Sequence, residues 1–499
     1  MWSAKQVQLL QLRQTIGGRM SWADIYPWRA PEAGGPVIRQ VYDQVREAIH
    51  QGALKPGGRL PSSRDLAARL GVARASVVAA YDRLLAEGYA EGRQGSGTYV
   101  SGDLSGVVDL KPARAGEGGA IAAEAEQAAM GFAPLAMASQ TFSNGRTLMD
   151  ARALDEWSKS TRRALRVLDP IHFGYSGPAG DLKLRAAVAD YLRAARGVVC
   201  TPDQILMTSG AQHATDLSLR VLLPPGDEVW LEDPGYQPTW HAARAAGARG
   251  VAVPVDRHGL IVQAGVARAA RARAAFVTPS HQFPLGVAMS MARRLELVAW
   301  AREAKAWIVE DDYAAEFRYE GAPLPALQGL DGGERVVYVG TFNKSLFPGI
   351  RLGYLVAPRE LAAKFSALRR LTDRQPPTLT QAVTLDFMES GQFAAHIRRR
   401  RLAYRAQRDA LAEALDRRLG HVLDVDVPDQ GMHLIAYLKD GRPDVDVEAK
   451  AAARGITARG ISALFHDEKP RSGLLLGFTG FPAQAMAGGV AKLAAALEG

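Results

Sequence analysis

A lysine and an arginine stand seven positions apart in a short polar segment that follows an apolar run. Lys344 and Arg351 belong to the segment 340–354, and the run Val336–Val339 precedes it. A lysine in such a loop can hold pyridoxal 5'-phosphate (PLP) as a Schiff base, and a nearby guanidinium can bind the phosphate group bidentately. The spacing therefore predicts a catalytic-type Schiff-base lysine at Lys344 and a phosphate contact at Arg351.

A second apolar run ends in a carboxylate and a phenol 33 residues before the lysine. Residues 308–309 lead into Asp311 and Tyr313. PLP requires a carboxylate at its pyridine nitrogen, because that pairing makes the ring an electron sink. We therefore expect Asp311 to bind the pyridine nitrogen.

Three further segments place small, polar or aromatic side chains after predicted strands. Residues 209–212 open a helix, and small residues such as Ala211 at a helix N-terminus can bind a phosphate group together with Gln212. Tyr236 supplies an aromatic ring that can stack on the pyridine ring. His281 is expected to be a hydrogen-bonding group near the cofactor rather than a metal ligand. All of these follow strand ends, the edge where open α/β sheets bind ligands.

The segment 36–101 carries the signals of a winged helix-turn-helix. Apolar residues recur every four positions over 37–49 and predict a first helix. Ser62 or Ser63 can cap a second helix over 64–70, which stops at Gly71. A third helix over about 74–87 precedes two short strands around residues 92–96. This order predicts a domain that binds double-stranded DNA.

The DNA-binding residues are predicted from their positions at helix starts and at the wing. Side chains at the start of a recognition helix meet base edges in the major groove, and arginine is the usual reader of guanine. Each arginine alone is better explained as a solvated charge, but the order of helices, cap, turn and wing together favours DNA binding. The candidates are Ser63, Arg64, Arg74, Ser76, Arg93, Gln94 and Gly95.

The chain has 499 residues, too many for one hydrophobic core, so we expect several domains. From about residue 140, helices alternate with short apolar strands, which indicates an α/β domain with a largely parallel sheet. The part from about 380 reads as a C-terminal α+β subdomain. The predicted division is a lead-in over 1–35, the winged domain over 36–101, a linker over 102–135, and a PLP-binding domain over 136–499 whose large part reaches about 375.

Composition narrows the class of protein. The net charge of +9 permits a polyanionic partner without proving one. The single cysteine, Cys200, fits a reducing cytosol, and neither a signal peptide nor an apolar run of membrane length is visible. We therefore expect a cytoplasmic protein, associated with the nucleoid when bound to DNA. No His/Cys cluster suggests a metal.

The basic run Arg398–Arg401, with Arg405 and Arg408, reads as a solvated or dimer-facing helix rather than a DNA-tracking stripe.

Longer phrases resemble a known family. The segments 60–67, 71–74, 84–89 and 95–100 resemble a GntR-type winged helix. The segments 173–180, 278–286, 310–319 and 340–353 resemble the aminotransferase-like domain of the MocR/GabR regulators, in which a GntR-type domain is fused to a PLP-binding domain of fold type I. The resemblance spans about 36–490 and implies a homodimeric regulator of the MocR subfamily.

The resemblance also implies roles for single residues. Lys344 would form the Schiff base, Asp311 would bind the pyridine nitrogen, and Tyr313 would bind the O3' oxygen. Tyr236 would stack on the ring. The phosphate would be held by Ala211, Gln212, Thr341 and Arg351.

Two positions depart from the family pattern. Asn343 precedes the lysine where the family usually has Ser, and an amide can replace a hydroxyl as a hydrogen-bond partner. The segment Gly473–Phe478 lacks the arginine with which aminotransferases bind an α-carboxylate. Arg471, just upstream, is within reach of that position, but we do not favour it as the carboxylate-binding residue. Loss of that bidentate contact weakens substrate positioning.

These departures favour a DNA-binding regulator that senses PLP or an amine effector, and not an enzyme with efficient transaminase activity. An active PLP-dependent aminotransferase with an accessory DNA-binding domain is the alternative. A third hypothesis treats the PLP domain as a dimerisation scaffold without cofactor. It is disfavoured because the lysine, the carboxylate and the phosphate arginine are all present.

Overall fold

A computed structural model describes residues 26–32, 34–104, 140–322 and 324–498. The chain divides into two compact units, one within 1–122 and one within 123–499. Most of the predicted lead-in and linker lies outside the described residues, and the domain boundaries given above stay predictions.

The N-terminal unit is the expected winged helix-turn-helix. Its elements are α1 (Val37–His50), α2 (Ser63–Leu70), α3 (Arg74–Ala86), β1 (Ala90–Arg93) and β2 (Gly97–Val100). The Ser62 hydroxyl caps α2 by accepting the Asp65 N–H at 3.1 Å, and Gly71 ends the helix in a left-handed conformation. The two strands pair antiparallel and form the wing. One small apolar core joins the three helices to the wing.

The second unit contains an eight-stranded sheet. Its strands are β3 (Ile205–Thr208), β4 (Glu228–Asp233), β5 (Arg249–Asp256), β6 (Gly259–Leu260), β7 (Ala274–Val277), β8 (Trp307–Asp311), β9 (Val336–Thr341) and β10 (Gly353–Val356). The order is β3-β10-β9-β8-β7-β4-β5-β6. The five strands from β9 to β5 are parallel, whereas β10 and β6 pair antiparallel. The sheet is therefore mixed at its edges and parallel in its centre.

Helices cover this sheet, which explains why its central strands are apolar. Every residue of β7 and β9 is buried, as expected for parallel strands covered on both faces. The helices are α4 (Ala151–Val167), α5 (Leu182–Arg196), α6 (Ala211–Leu222), α7 (Gln237–Ala245), α8 (Val262–Ala269), α9 (Met291–Glu303), α10 (Leu327–Asp331), α11 (Phe342–Ser345), α12 (Arg359–Thr372) and α13 (Thr378–Glu389).

The C-terminal part forms the expected α+β subdomain. Its antiparallel sheet has the order β11-β12-β14-β13, built from β11 (Leu423–Asp426), β12 (His433–Leu438), β13 (Arg459–Gly460) and β14 (Gly473–Gly477). Its helices are α14 (Gln392–Leu419), α15 (Asp444–Ala453) and α16 (Ala483–Glu498). No described helix has the length and apolar character that crossing a membrane requires.

The basic run on α14 differs from its expectation. Arg400 and Arg408 are buried, and each forms an ion pair within this unit, with Asp150 at 2.9 Å and Glu320 at 2.8 Å. The prediction of a solvated or dimer-facing helix is therefore wrong for these two residues. One face of α14 packs against the core, and side chains about four positions apart along the basic run lie on that face.

Candidate cofactor and DNA-binding sites

A cavity of about 300 Å³ lies at the carboxyl edge of the central strands. Parallel strands end at the same edge, so residues that are distant in sequence meet there. Asp311 closes β8, and Lys344 follows β9 after two residues. Both side chains line the cavity, together with Tyr236, Tyr313 and Arg351. The structure thus brings together the lysine, the carboxylate and the arginine that the sequence singled out.

The electrostatics of the cavity are set mainly by burial. Removal from water, with the nearby carboxylates Asp312 and Glu232, raises the pKa of Asp311 to about 7, while the charge of Lys344 opposes that shift. Burial likewise lowers the pKa of Lys344, and the charge of Asp311 opposes this. A depressed pKa increases the neutral fraction of the ε-amino group, which is the form that attacks a carbonyl.

Asp311 rather than its neighbour Asp312 faces the cavity. Asp312 accepts hydrogen bonds from Arg196 Nε at 2.8 Å and from the Tyr338 hydroxyl at 2.7 Å. Successive side chains of an extended chain point to opposite sides, so only one carboxylate of the pair can face the cavity. The other is fixed by a buried ion pair with Arg196.

Two buried polar atoms on the cavity wall mark where a ligand would bind. Within the described parts of the chain, neither Asp311 Oδ1 nor the Tyr313 hydroxyl has a hydrogen-bond partner. Unpaired buried polar atoms are rare because they cost free energy, and a ligand can remove that cost. A ring nitrogen beside Asp311 and a phenolic oxygen beside Tyr313 would satisfy both, so these residues fit PLP.

A candidate phosphate site lies at the start of α6. Gly210 precedes this helix with a φ of 102°, and a Cβ added to it would lie 2.7 Å from Asn343 Nδ2 and 3.8 Å from Arg351 Nη1. The backbone N–H groups of Ala211 and Gln212 at the helix N-terminus therefore share one small space with an amide and a guanidinium. This combination suits a phosphate group.

Asn343 and Thr341 are held in fixed positions beside that space. The Thr341 hydroxyl accepts the Asn343 N–H at 3.1 Å, and Asn343 Oδ1 accepts the Leu352 N–H at 3.2 Å. The amide oxygen is thus occupied, and the Nδ2 group remains on the side of Gly210. Asn343, which precedes the lysine, therefore adds an amide donor to the candidate phosphate site.

Tyr236 and His281 differ in where the structure places them. Tyr236 lines the cavity and packs edge-to-face against Phe283 at a centroid distance of 5.4 Å. His281 lies behind Tyr313, against Gly431 and 5.0 Å from the ring of His433. Burial holds the pKa of His281 well below its usual range, so the ring is neutral. It contributes packing behind the cavity wall rather than a side chain on it.

Several residues on the cavity wall escaped the sequence analysis. Asn144 lines the cavity, and a side chain on its neighbour Gly145 would collide with Lys344 Nζ. These residues precede the lysine by about 200 positions, and nothing in their local pattern indicates the contact. Glu232 is a second buried acid whose pKa burial raises to about 7, and it accepts the Thr278 hydroxyl at 2.6 Å. The position of Glu232 near the end of an apolar strand was the feature of the sequence that could have indicated it.

Arg471 is engaged elsewhere. Its guanidinium lies 3.5 Å from the centroid of the Tyr437 ring and 3.5 Å from Asp424. It does not line the cavity. The sequence-based alternative for a carboxylate-binding arginine therefore receives no support from its position.

The predicted DNA-binding residues lie in two groups on the N-terminal unit. Ser63 and Arg64 begin α2, and Arg74 begins α3 with its Nε donating to the Ser63 hydroxyl at 3.2 Å. Ser76 follows in the first turn of α3. The two helix starts are thereby linked.

The wing carries the second group. Gln94 and Gly95 form the exposed turn between the strands, with Gly95 at a φ of 73°. Arg93 pairs with Glu91 at 2.7 Å and lies over the ring of Tyr99. Its charge is thus partly neutralised within the wing, by a contact that the local sequence pattern does not indicate.

Comparisons with known proteins match both units. The family model "Bacterial regulatory proteins, gntR family" matches residues 37–100, and the model "Aminotransferase class I and II" matches residues 142–463. The chain is 38% identical to the probable rhizopine catabolism regulatory protein MocR of Rhizobium meliloti, over 93% of this chain and 94% of that protein. It is 32% identical to the pyridoxine biosynthesis transcriptional regulator PdxR of Corynebacterium glutamicum, over 90% of this chain and 93% of that protein.

A solved structure matches the second unit. The α-aminoadipate aminotransferase LysN of Thermus thermophilus, complexed with N-(5'-phosphopyridoxyl)-L-leucine, superposes with a TM-score of 0.67 and 27% identity. The match covers 76% of this chain and 95% of that one.

Proposed function

We propose that this chain binds operator DNA through the winged unit and PLP through the second unit. The chain belongs to the MocR-like family of GntR-type transcriptional regulators with an aminotransferase class I and II domain. PLP itself or an amine that binds beside it would be the effector. A regulator of chromosomal DNA would act in the cytoplasm, and that location is part of the proposal.

The observation that carries the PLP proposal is the convergence of three unlike groups in one cavity. Lys344, the unpaired oxygen of Asp311 and the anion site at Gly210 and Arg351 all border the same space. An amine, a carboxylate and a phosphate site are the three contacts that PLP needs. A surface lysine or a structural carboxylate would not require the other two.

The proposed roles follow from these positions. Lys344 would hold the cofactor covalently, Asp311 would bind the pyridine nitrogen, and Tyr313 would bind the phenolic oxygen. Tyr236 would cover the ring. The phosphate would be bound by Ala211, Gln212, Thr341, Asn343 and Arg351. When bound, PLP supplies an electron-withdrawing ring and a carbonyl carbon that accepts a primary amine.

Regulation is favoured over transaminase activity by one feature of the C-terminal sheet. Leu475 packs against Phe283 in the cluster that borders the cavity, and β14 carries no arginine. Leucine cannot bind the carboxylate of an amino acid, so a substrate would be less precisely positioned for turnover. Sensing needs only binding with different affinity for two conformations.

A homodimer is the proposed assembly. The second unit exposes several large apolar side chains, with Val167, Tyr175 and Leu371 exposed by 78%, 80% and 82%. Each of these side chains leaves apolar area in water that a second chain can cover, and burial of that area favours association. We propose a second copy of this chain, in line with the resemblance to dimeric regulators of this type.

The test is a titration of DNA affinity with and without PLP. The full-length protein would be freed of cofactor, and its affinity for the DNA upstream of its own gene would be measured at fixed salt before and after addition of PLP. A change in affinity that disappears in Lys344→Ala would support the proposal. Equal affinity in both states would contradict the coupling of the two sites.

A second measurement separates the regulator from the alternative enzyme. PLP-loaded protein would be mixed with common amino acids, and the conversion of PLP to its pyridoxamine form would be followed by absorbance. We expect slow conversion. Rapid conversion at rates of about 1 per second or faster, typical of enzymes, would favour an active aminotransferase.

A further inference from the structure

The wing of the N-terminal unit has a third, short strand at the free edge of β2. Residues 57–60 run antiparallel to β2, and two hydrogen bonds of 2.8 and 2.9 Å flank the direct pairing of Arg59 with Tyr99. Leu60 and Val100 are buried in the core of this unit. Side chains alternate along a strand, so Arg59 and Tyr99 project from the outer face of the wing. Arg59 therefore belongs to the wing, although it precedes α2 in the sequence.

The outer face of the wing carries two arginines in different surroundings. Arg93 is engaged, because its Nη2 lies 2.7 Å from Glu91 Oε1 and its guanidinium lies 4.3 Å from the centroid of the Tyr99 ring. Arg59 is exposed, and across the described parts of the chain its guanidinium has neither a carboxylate nor a hydrogen-bond acceptor as partner. Of these two arginines, Arg59 is the one whose charge is not compensated.

Gly97 makes room for the guanidinium of Arg59. A Cβ added to Gly97 would lie 3.2 Å from Arg59 Nε and 3.4 Å from Arg59 Nη2. The guanidinium thus packs on bare backbone at the start of β2, two residues after Gly95 of the exposed wing turn. This contact restricts the side chain before any DNA binds, which lowers the entropy cost of a later contact.

Arg59 also stands close to the start of α2. Leu60 and Pro61 connect it to Ser62, which caps that helix, and the Tyr81 hydroxyl of α3 donates to Pro61 O at 2.8 Å. The short connection is therefore fixed to α3, and Arg59 is held between the start of α2 and the wing turn. A polyanion that touches both of these elements passes close to Arg59.

We infer that Arg59 binds a phosphate group of the DNA backbone, and that Arg59 rather than Arg93 supplies the phosphate contact of the wing. The inference rests on the proposed function, because it requires that the winged unit binds DNA. The free guanidinium of Arg59 gains a charge-assisted contact and releases a counterion, whereas Arg93 would first have to leave Glu91. Phosphate groups are the same in every sequence, so Arg59 contributes affinity and not sequence preference.

The experiment measures the DNA affinity of the full-length, PLP-loaded protein over a range of salt concentrations. The probes are a fluorescent duplex of the DNA upstream of its own gene and a scrambled duplex of equal length and composition. The variants are Arg59→Gln, Arg59→Lys and, as the matched control on the same wing face, Arg93→Gln. Arg59→Gln and Arg93→Gln each remove one positive charge, so a difference between them reports a contact and not net charge. Circular dichroism and thermal unfolding check that each variant is folded.

We expect Arg59→Gln to weaken both duplexes by the same factor, roughly tenfold at low salt, and to reduce the slope of log affinity against log salt by about 1. Arg59→Lys should retain the wild-type slope, because an ammonium group also neutralises one phosphate. Arg93→Gln should keep the wild-type slope and change affinity by less than about threefold, since an exposed ion pair contributes little.

The inference is overturned if Arg59→Gln keeps the wild-type slope, if Arg93→Gln loses as much slope as Arg59→Gln, or if Arg59→Lys behaves like Arg59→Gln. Weakening by Arg59→Gln that is confined to the upstream duplex would reveal a base contact and would overturn it as well. In each of these cases, binding of DNA by the wild-type protein leaves the proposed function standing. Failure of the wild-type protein to bind either duplex would reject the proposed function itself.

Discussion

Asp311 and Lys344 share one buried cavity, and each opposes the pKa shift that burial imposes on the other. The two residues end adjacent parallel strands or follow directly on them, so the sheet itself fixes their separation. Burial favours the neutral form of both groups, which suits a ligand that brings a ring nitrogen and a carbonyl.

Lys344→Ala should abolish covalent attachment of PLP. Wild-type protein treated with PLP and borohydride should carry the cofactor as a stable mass increase, because reduction fixes the bond to the lysine nitrogen. Mass spectrometry of the intact protein and of its peptides provides the measurement. Lys364→Ala, an exposed lysine of α12, should behave like the wild-type protein. A mass increase in Lys344→Ala at another lysine would contradict the assignment.

Asp311→Asn should weaken PLP binding and at the same time stabilise the cofactor-free protein at high pH. Burial raises the pKa of Asp311 to about 7, so between roughly pH 4 and pH 7 the folded state holds a proton that the unfolded chain has lost. Stability from this group is therefore present at low pH and falls as pH rises through that window. The amide of the variant does not titrate in this range, so its free energy of unfolding does not fall for this reason.

The measurement for Asp311→Asn is urea unfolding of PLP-free protein at pH 5 and pH 8. The variant should gain on the order of 1 kcal/mol or more in free energy of unfolding relative to wild type between the two values of pH. Asp190→Asn, whose side chain is 75% exposed, serves as the control and should gain nothing comparable. Equal pH dependence of Asp311→Asn and wild type would exclude a buried carboxyl with a raised pKa.

Gly210→Ala should weaken the phosphate site beyond the cost of its backbone strain. The φ of 102° is unfavourable for alanine, and the added Cβ would lie 2.7 Å from Asn343 Nδ2. Gly226→Ala is the matched control, since its φ is 92° and a Cβ there meets nothing within 4 Å. Both variants should lose about 1 kcal/mol or more of stability from strain. Only Gly210→Ala should also lower affinity for PLP and for inorganic phosphate, measured by fluorescence titration.

Arg64→Ala should reduce affinity for operator DNA by about tenfold or more, as expected for loss of a base or phosphate contact. Arg39→Ala is the comparison, because Arg39 lies on α1 near Asp43 and outside the two linked helix starts. Affinity would be measured over a range of salt concentrations, with far-ultraviolet circular dichroism to check folding. If Arg39→Ala lost as much as Arg64→Ala, DNA would not be read by the start of α2.

Much of the fold is visible in local sequence. The Ser62 cap, the left-handed Gly71 and the four-residue apolar repeat are local signals, and the helices of the winged unit begin and end within a residue or two of their predicted bounds. The central strands were recognisable for a similar reason, since strands buried on both faces are continuously apolar. The antiparallel direction of β10 and β6 has no such local signal, because direction is set by the partner strand.

The site was predictable only in part. Lys344, Asp311 and Arg351 carry chemistry that few other patterns explain, and their order along the chain was sufficient to propose PLP. Asn144 and Gly145 reach the same cavity from about 200 residues away, and their contact with Lys344 depends on how the chain returns to the sheet edge.

The sequence by itself determined which groups this protein possesses: a helix-turn-helix with arginines at its helix starts, a lysine in a polar segment after an apolar strand, and a β14 strand without arginine. Only the tertiary structure decided what surrounds them, because burial and strand register are properties of the packed chain. Register places Arg459 beside Leu475, and packing takes Arg400 into the core while leaving Arg459 exposed. The same residue type thus forms a buried ion pair at one position and stays exposed at the other.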